Sequence, residues 1–235
     1  MDETVTIDDN DKHRNHLALA LDCDDLVEAV RLARELRPWF GVAKVGLELF
    51  CAAGPDTVPA IADEGYRVFL DLKLHDIPTT VNNAARVAGE LGARYLTLHA
   101  HGGAVMLRAG VDGLNEGASK GGHTPPTALA VTILTSDPDA PPHILGKRVA
   151  TAVEAGCGGM VCAAADVAEA KQLAPRLVAV VPGIRPMGAE AHDQARPASP
   201  AEAIAQGADI LVVGRAVTAA PDRAAAAAAL VEELS

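Results

Sequence analysis

"RVFLDLKLHDIPTTVNNAARVAGELGARYLTLHA" spans residues 67–100 and holds two apolar runs on either side of one helical pattern. An apolar run, "RVFLDLK" (67–73), leads through a charged turn into "TTVNNAARVAGELG" (79–92), an Ala-rich stretch of helical character. A second apolar run follows, "RYLTLHA" (94–100). Gly92 stands where a helix is expected to be capped at its C-terminus. Strand, helix and strand in that order make a βαβ unit with parallel strands.

The same unit recurs on both sides of this stretch. Apolar runs occur at "HLALALD" (16–22), "FGVAKVG" (40–46), "TALAVTIL" (127–134), "GMVCA" (159–163), "LVAVVPGI" (177–184) and "DILVVGR" (209–215). Between them lie helical patterns such as "DDLVEAVRLARELR" (24–37) and "KRVATAVEAG" (147–156), and Gly65, Gly156 and Gly207 mark further helix ends. Strands that read as continuous apolar runs fit a sheet covered on both faces. Eight strands alternating with about eight helices predict a single (β/α)8 TIM barrel, with an open doubly wound sheet as the alternative.

The chain has 235 residues, 49% of them hydrophobic but only 3% aromatic, so a sizeable core must be built from Ala, Val, Leu and Ile. A formal net charge of -11 argues against general nucleic-acid binding, while leaving room for a small anion held by local Arg and Lys side chains. No apolar run approaches the roughly 18 residues of a membrane span. Residues 1–15, "MDETVTIDDNDKHRN", lack the apolar segment of a secretory signal and read as a flexible tail, leaving 16–235 for the catalytic barrel. Cys23, Cys51, Cys157 and Cys162 form no CxxC pair and read as reduced, mostly buried thiols of a cytoplasmic protein.

In this fold, active sites are built at the C-terminal ends of the strands. Read at those ends, the sequence supplies Asp22, Lys44, Asp71, Lys73, His99, Thr132, Thr135, Cys162, Arg185, Gly214 and Arg215. Asp71 and Lys73 are two apart on a strand and therefore face one side. With Lys44 on the neighbouring strand and Asp76 on the following loop they make alternating charges, each keeping its neighbours ionised. A structural ion-pair network is the plain alternative, but four charges at adjacent strand ends favour a site. "PGIRP" closes strand seven and "VVGR" closes strand eight, the two positions after which this fold often binds phosphate. The long loop 185–200 between them reads as a lid, with Gln194 as a contact. "HAHGG" places His99 and His101 at one strand end, but no third metal ligand accompanies them, so no metal is expected. GxSxG, GxGxxG and GKS/T motifs are missing, which leaves hydrolase-triad, dinucleotide and P-loop readings without support.

"FLDLKLHDIPTTV", together with "LALD", "AKVGLELF", "LTLHAHGG", "VTILTS", "VPGIR" and "VVGR" in this order, resembles the orotidine 5′-phosphate decarboxylase family of bacterial type over roughly residues 16–222. The resemblance implies conversion of orotidine 5′-phosphate to uridine 5′-phosphate and carbon dioxide in pyrimidine biosynthesis, with neither metal nor organic cofactor. It implies that Asp22 and Lys44 hold the ribose hydroxyls, Asp71 sits against the substrate carboxylate, and Lys73 delivers a proton to C6. It further implies that Thr135 meets the pyrimidine edge, that Gln194, Gly214 and Arg215 bind the phosphate, and that Arg185 borders it. Asp76 and Thr80 would reach into a neighbouring subunit's site in a homodimer. The competing reading within the same superfamily is a magnesium-dependent sugar-phosphate enzyme, a 3-keto-gulonate-phosphate decarboxylase or hexulose-phosphate synthase. The resemblance implies that those enzymes carry Glu where this chain has Lys44. A non-catalytic phosphate-ligand binding protein is a second, weaker competitor.

Overall fold

Each apolar run becomes a strand: Leu17–Leu21 (β1), Val42–Gly46 (β2), Arg67–Leu74 (β3), Tyr95–His99 (β4), Thr127–Val131 (β5), Gly159–Val161 (β6), Val178–Val181 (β7) and Ile210–Val213 (β8). The structure is a computed structural model that describes residues 9–134, 140, 141, 143–185 and 198–234. Each strand pairs in parallel with the next, and β8 pairs with β1, so the sheet closes on itself. The eight-stranded parallel barrel is the expected (β/α)8 architecture, and the open sheet is ruled out.

Alternation along the strands sorts the apolar residues into two layers. Ala18, Ala20, Val42, Phe69, Tyr95, Leu129, Val180, Ile210 and Val212 pack together inside the barrel. Phe69 and Tyr95 meet edge to face there, with ring centroids 6.1 Å apart. These two rings are the aromatic members of a layer otherwise built of aliphatic side chains. Leu17, Leu19 and Leu21 point outward and join the larger core beneath the helices.

That outer layer comprises Leu26–Leu36 (α2), Leu47–Ala53 (α3), Thr57–Asp63 (α4), Pro78–Glu90 (α5), Gly103–Gly121 (α6), His143–Ala155 (α7), Ala164–Leu173 (α8), Pro200–Ala205 (α9), Arg215–Thr218 (α10) and Arg223–Glu232 (α11), preceded by Asp9–His16 (α1). In α2 the buried Ala29, Leu32, Ala33 and Leu36 trace one face at helical spacing, and the Asp25 side chain caps the start by accepting from the Glu28 amide. The four glycines expected at helix ends all have positive φ, between 79° and 98°. Helices α5 and α6 touch backbone to backbone: a Cβ at Gly113 would lie 2.2 Å from the Asn82 carbonyl oxygen, and one at Gly117 would lie 1.9 Å from that of Arg86. This contact fixes α5, whose first turn carries Thr80.

Residues 9–15, read as part of a flexible tail, run into α1, and the helix end is tied to the N-terminal face of the barrel. The Gly41 amide donates to the Arg14 carbonyl at 2.8 Å, Arg67 donates to Asn15 Oδ1 at 2.9 Å, and His16 Nδ1 lies 2.8 Å from the Asp209 carbonyl oxygen. These anchors are main-chain and polar groups, so "DNDKHRNH" shows no apolar periodicity that would reveal them. No helix among the described residues is long and apolar enough to cross a membrane.

Candidate active site

The polar residues at the strand ends converge on the mouth of the barrel as two ion pairs. Lys44 Nζ donates to Asp22 Oδ1 at 2.9 Å, and Lys73 Nζ donates to Asp71 Oδ1 at 2.8 Å. The Lys44 and Asp71 side chains are 13% and 15% exposed, so the inner member of each pair is largely withdrawn from water and its partner offsets the cost of burying charge.

Lys73 reaches Asp71 by a route that strand alternation does not describe. Leu70 pairs with Leu96 and Leu74 with Leu98, so β3 spends four residues where β4 spends two. Lys73 sits in this bulge with φ 48°, the left-handed region, and is the sole non-glycine residue with positive φ among the described residues. Such a backbone costs about 1–3 kcal/mol and persists where its surroundings hold it. The holding group is Thr97 on β4, fully buried and without any motif to mark it in the sequence. Its hydroxyl accepts from the Lys73 amide at 2.8 Å and lies 3.1 Å from Asp71 Oδ1, to which it donates.

Two cavities of about 200 and about 130 Å3 meet along Lys44, Asp71, Pro182 and Val212. The larger is bounded by Asp22, Gly183, Arg185, Gly214 and Arg215. The smaller is walled by Phe69, Val131, Ile133, Leu134 and Val161, with Lys73 on its edge. The combined space therefore has an arginine end, an apolar end, and the two ion pairs between them. Gly214, the N-cap of α10, lines the arginine end, where a Cβ would meet Ala20 Cβ at 3.4 Å and Asp22 Oδ2 at 3.6 Å, ordinary contact distances. Arg185, four residues past the end of β7, is buried, and its amide donates to the Ala198 carbonyl across the base of the 185–200 loop.

Other expected site residues fall elsewhere. Asp76 makes no ion pair with another described residue; its carboxylate accepts from the Ile77 amide at 2.6 Å. Asp76 and Thr80 are exposed and line neither cavity; of the four charges grouped in the sequence, Lys44, Asp71 and Lys73 lie in the two ion pairs, whose fourth member is Asp22. Thr135 and Gln194 lie outside the described residues. Thr132, on the strand-end list, is buried and donates to the Val161 carbonyl, a structural bond, and Cys162 is buried in the outer core. The rings of His75, His99 and His101 cluster with centroids 5.5 to 6.3 Å apart. Burial, reinforced by the neighbouring His75, Arg148, His101 and Lys73, lowers the pKa of His99. No group of three potential ligands among the described residues is placed to hold a metal ion.

A family model described as "Orotidine 5'-phosphate decarboxylase / HUMPS family" matches residues 15–230. The chain belongs to this family. It is 44% identical to the orotidine 5′-phosphate decarboxylase of Paramagnetospirillum magneticum, over 94% of this chain and 98% of that one. It is 47% identical to the orotidine 5′-phosphate decarboxylase of an Anaeromyxobacter species, over 93% and 98%. A crystal structure of orotidine 5′-phosphate decarboxylase from Lactobacillus acidophilus superposes with a TM-score of 0.77 at 33% identity, covering 94% of this chain and 99% of that one. Family membership and a cavity with an arginine end, a charged middle and an apolar end together direct attention to a nucleotide ligand. Phosphate, ribose and base differ in polarity along their length in the same order.

Proposed function

We propose that this protein decarboxylates orotidine 5′-phosphate to uridine 5′-phosphate. The observation that carries the reading is the Lys73–Asp71 pair at the junction between the arginine end and the apolar end of the cavity. With the phosphate near Arg215 and Gly214, bordered by Arg185, the ribose hydroxyls come beside Asp22 and Lys44, and the pyrimidine enters the apolar end. C6 and its carboxylate then face Lys73 and Asp71. The C6–carboxylate bond breaks, carbon dioxide leaves, and the electron pair stays on C6 in an sp2 orbital with no adjacent electron sink. An ammonium already in place stabilises that charge as it develops, and Lys73 Nζ gives its proton to C6. Asp71 holds the ammonium and lies close to the departing carboxylate. Thr135 is assigned to the pyrimidine edge and Gln194 to the phosphate.

Asp76 and Thr80 are assigned to the partner's site in a homodimer. Their exposure, and the rigid seating of α5, support this placement. The protein is assigned to the cytoplasm, where the pyrimidine pathway operates.

A magnesium-dependent sugar-phosphate reaction is not favoured. The ammonium of Lys44 already neutralises Asp22 at 2.9 Å, where a divalent cation would need additional carboxylate oxygens. The deciding experiment follows the absorbance change of orotidine 5′-phosphate on addition of the protein, with and without EDTA. Turnover unaffected by the chelator is expected. Turnover abolished by EDTA, or nucleotide binding without turnover, would refute the assignment.

A further inference from the structure

We propose that Thr97 is a positioning residue for the decarboxylation, acting through the backbone of Lys73 and the carboxylate of Asp71; this rests on the function proposed above. Its one hydroxyl closes a ring of hydrogen bonds. The Lys73 amide can only donate, so Thr97 Oγ1 accepts at 2.8 Å, and the hydroxyl proton is left for Asp71 Oδ1 at 3.1 Å. Lys73 Nζ completes the ring by donating to the same Oδ1 at 2.8 Å. The main chain and the side chain of one lysine are thereby tied to each other through two residues of two strands.

The location of this ring explains why it is needed. At the break in β3–β4 register the Lys73 amide lies outside the regular ladder, and the threonine hydroxyl stands in for a carbonyl of the neighbouring strand. A buried amide without an acceptor is costly, so the hydroxyl is what makes the left-handed conformation of Lys73 tenable. Without it, the backbone relaxes toward an ordinary region and carries the ammonium away from its place beside Asp71. Thr97 is fully buried and lines neither cavity, so it touches no ligand. Its effect falls on the placement of the ammonium rather than on binding, and a misplacement of about 1 Å can lower a rate by about a hundredfold.

The test compares Thr97→Val, which keeps the shape and loses the hydroxyl, with Thr97→Ser, which keeps the hydroxyl and loses a methyl. Expected is a fall in kcat of about ten- to a hundredfold for Thr97→Val. Its dissociation constant for uridine 5′-phosphate should remain within about threefold of the wild type. Thr97→Ser should restore kcat to within about threefold of the wild type even where its melting temperature is the lower of the two. If Thr97→Val does not fold, Thr97→Cys, with a weak thiol donor in the same space, takes its place in the comparison. The proposal is overturned by a wild-type kcat in Thr97→Val, by a Thr97→Ser variant as slow as Thr97→Val, or by a loss of product affinity that matches the loss of kcat. A wild-type protein that leaves orotidine 5′-phosphate unchanged overturns the functional reading itself, and with it the role of Thr97.

Discussion

Replacing Lys73 with Ala isolates the contribution of one ammonium. Its side chain is 33% exposed and that of Asp71 15%, so their surroundings are intermediate between water and a dry interior. A unit charge about 4 Å from a developing carbanion, at an effective dielectric constant near 20, contributes about 4 kcal/mol. That corresponds to roughly a thousandfold in rate. Loss of a positioned proton donor lowers rates by a further factor of about a hundred to ten thousand. The two contributions overlap in part, and the expected fall in kcat is about ten-thousandfold or more. Binding should separate by ligand. Uridine 5′-phosphate has no carboxylate and keeps its affinity, whereas orotidine 5′-phosphate meets an Asp71 that no cation offsets and binds more weakly. Absorbance turnover assays and titration calorimetry with both nucleotides measure the two effects. A kcat within about a hundredfold of the wild type, in a folded variant, would show that Lys73 does not protonate C6. Equal weakening of both nucleotides would place Lys73 in general ligand binding.

Three further predictions address strain, assembly and pH. Lys73→Gly should melt about 2–4 °C above Lys73→Ala, because glycine adopts a φ of 48° without the roughly 1 kcal/mol cost that a Cβ imposes; coincident melting curves would mean that the left-handed backbone stores no strain. Mixing inactive Asp76→Ala and Lys73→Ala proteins should recover part of the activity, since a hybrid dimer retains one site with both groups intact; no recovery after demonstrated subunit exchange would place Asp76 in its own chain's chemistry. Because burial and the nearby His75, Arg148, His101 and Lys73 hold His99 below its ordinary pKa of 6.5, the folded protein takes up fewer protons than the unfolded chain just below that pH. Stability should therefore decline on acidification through that value, and His99→Gln should flatten the melting temperature between about pH 7 and 5.5; an unchanged slope would remove His99 from the account.

The barrel was legible because its signal is repeated. Each strand is an apolar run long enough to be read alone, and glycines such as Gly92 and Gly156 punctuate the helix ends. The charged residues of the site were legible for the opposite reason: Lys44, Asp71 and Lys73 interrupt runs that would otherwise be buried. Thr97 escaped notice because threonine is an ordinary strand residue, and only the register break gives its hydroxyl a task. The same break was invisible in "FLDLKL", where simple alternation already put Asp71 and Lys73 on one side, although by a different backbone path. Helix α1 was missed because main-chain and polar contacts leave no hydrophobic period. Sequence proximity does not tell which way a loop turns, so the separation of Asp76 from the two ion pairs within one chain is not legible in the sequence.

Two residues of β3 have no counterpart on β4. A shorter β3, trimmed to match its neighbour, would make an unbroken ladder and a sturdier barrel, but it would have nowhere to stand an ammonium at this height. The irregularity is thus the feature that turns a packing scaffold into a reagent holder, and selection for stability alone would tend to erase it.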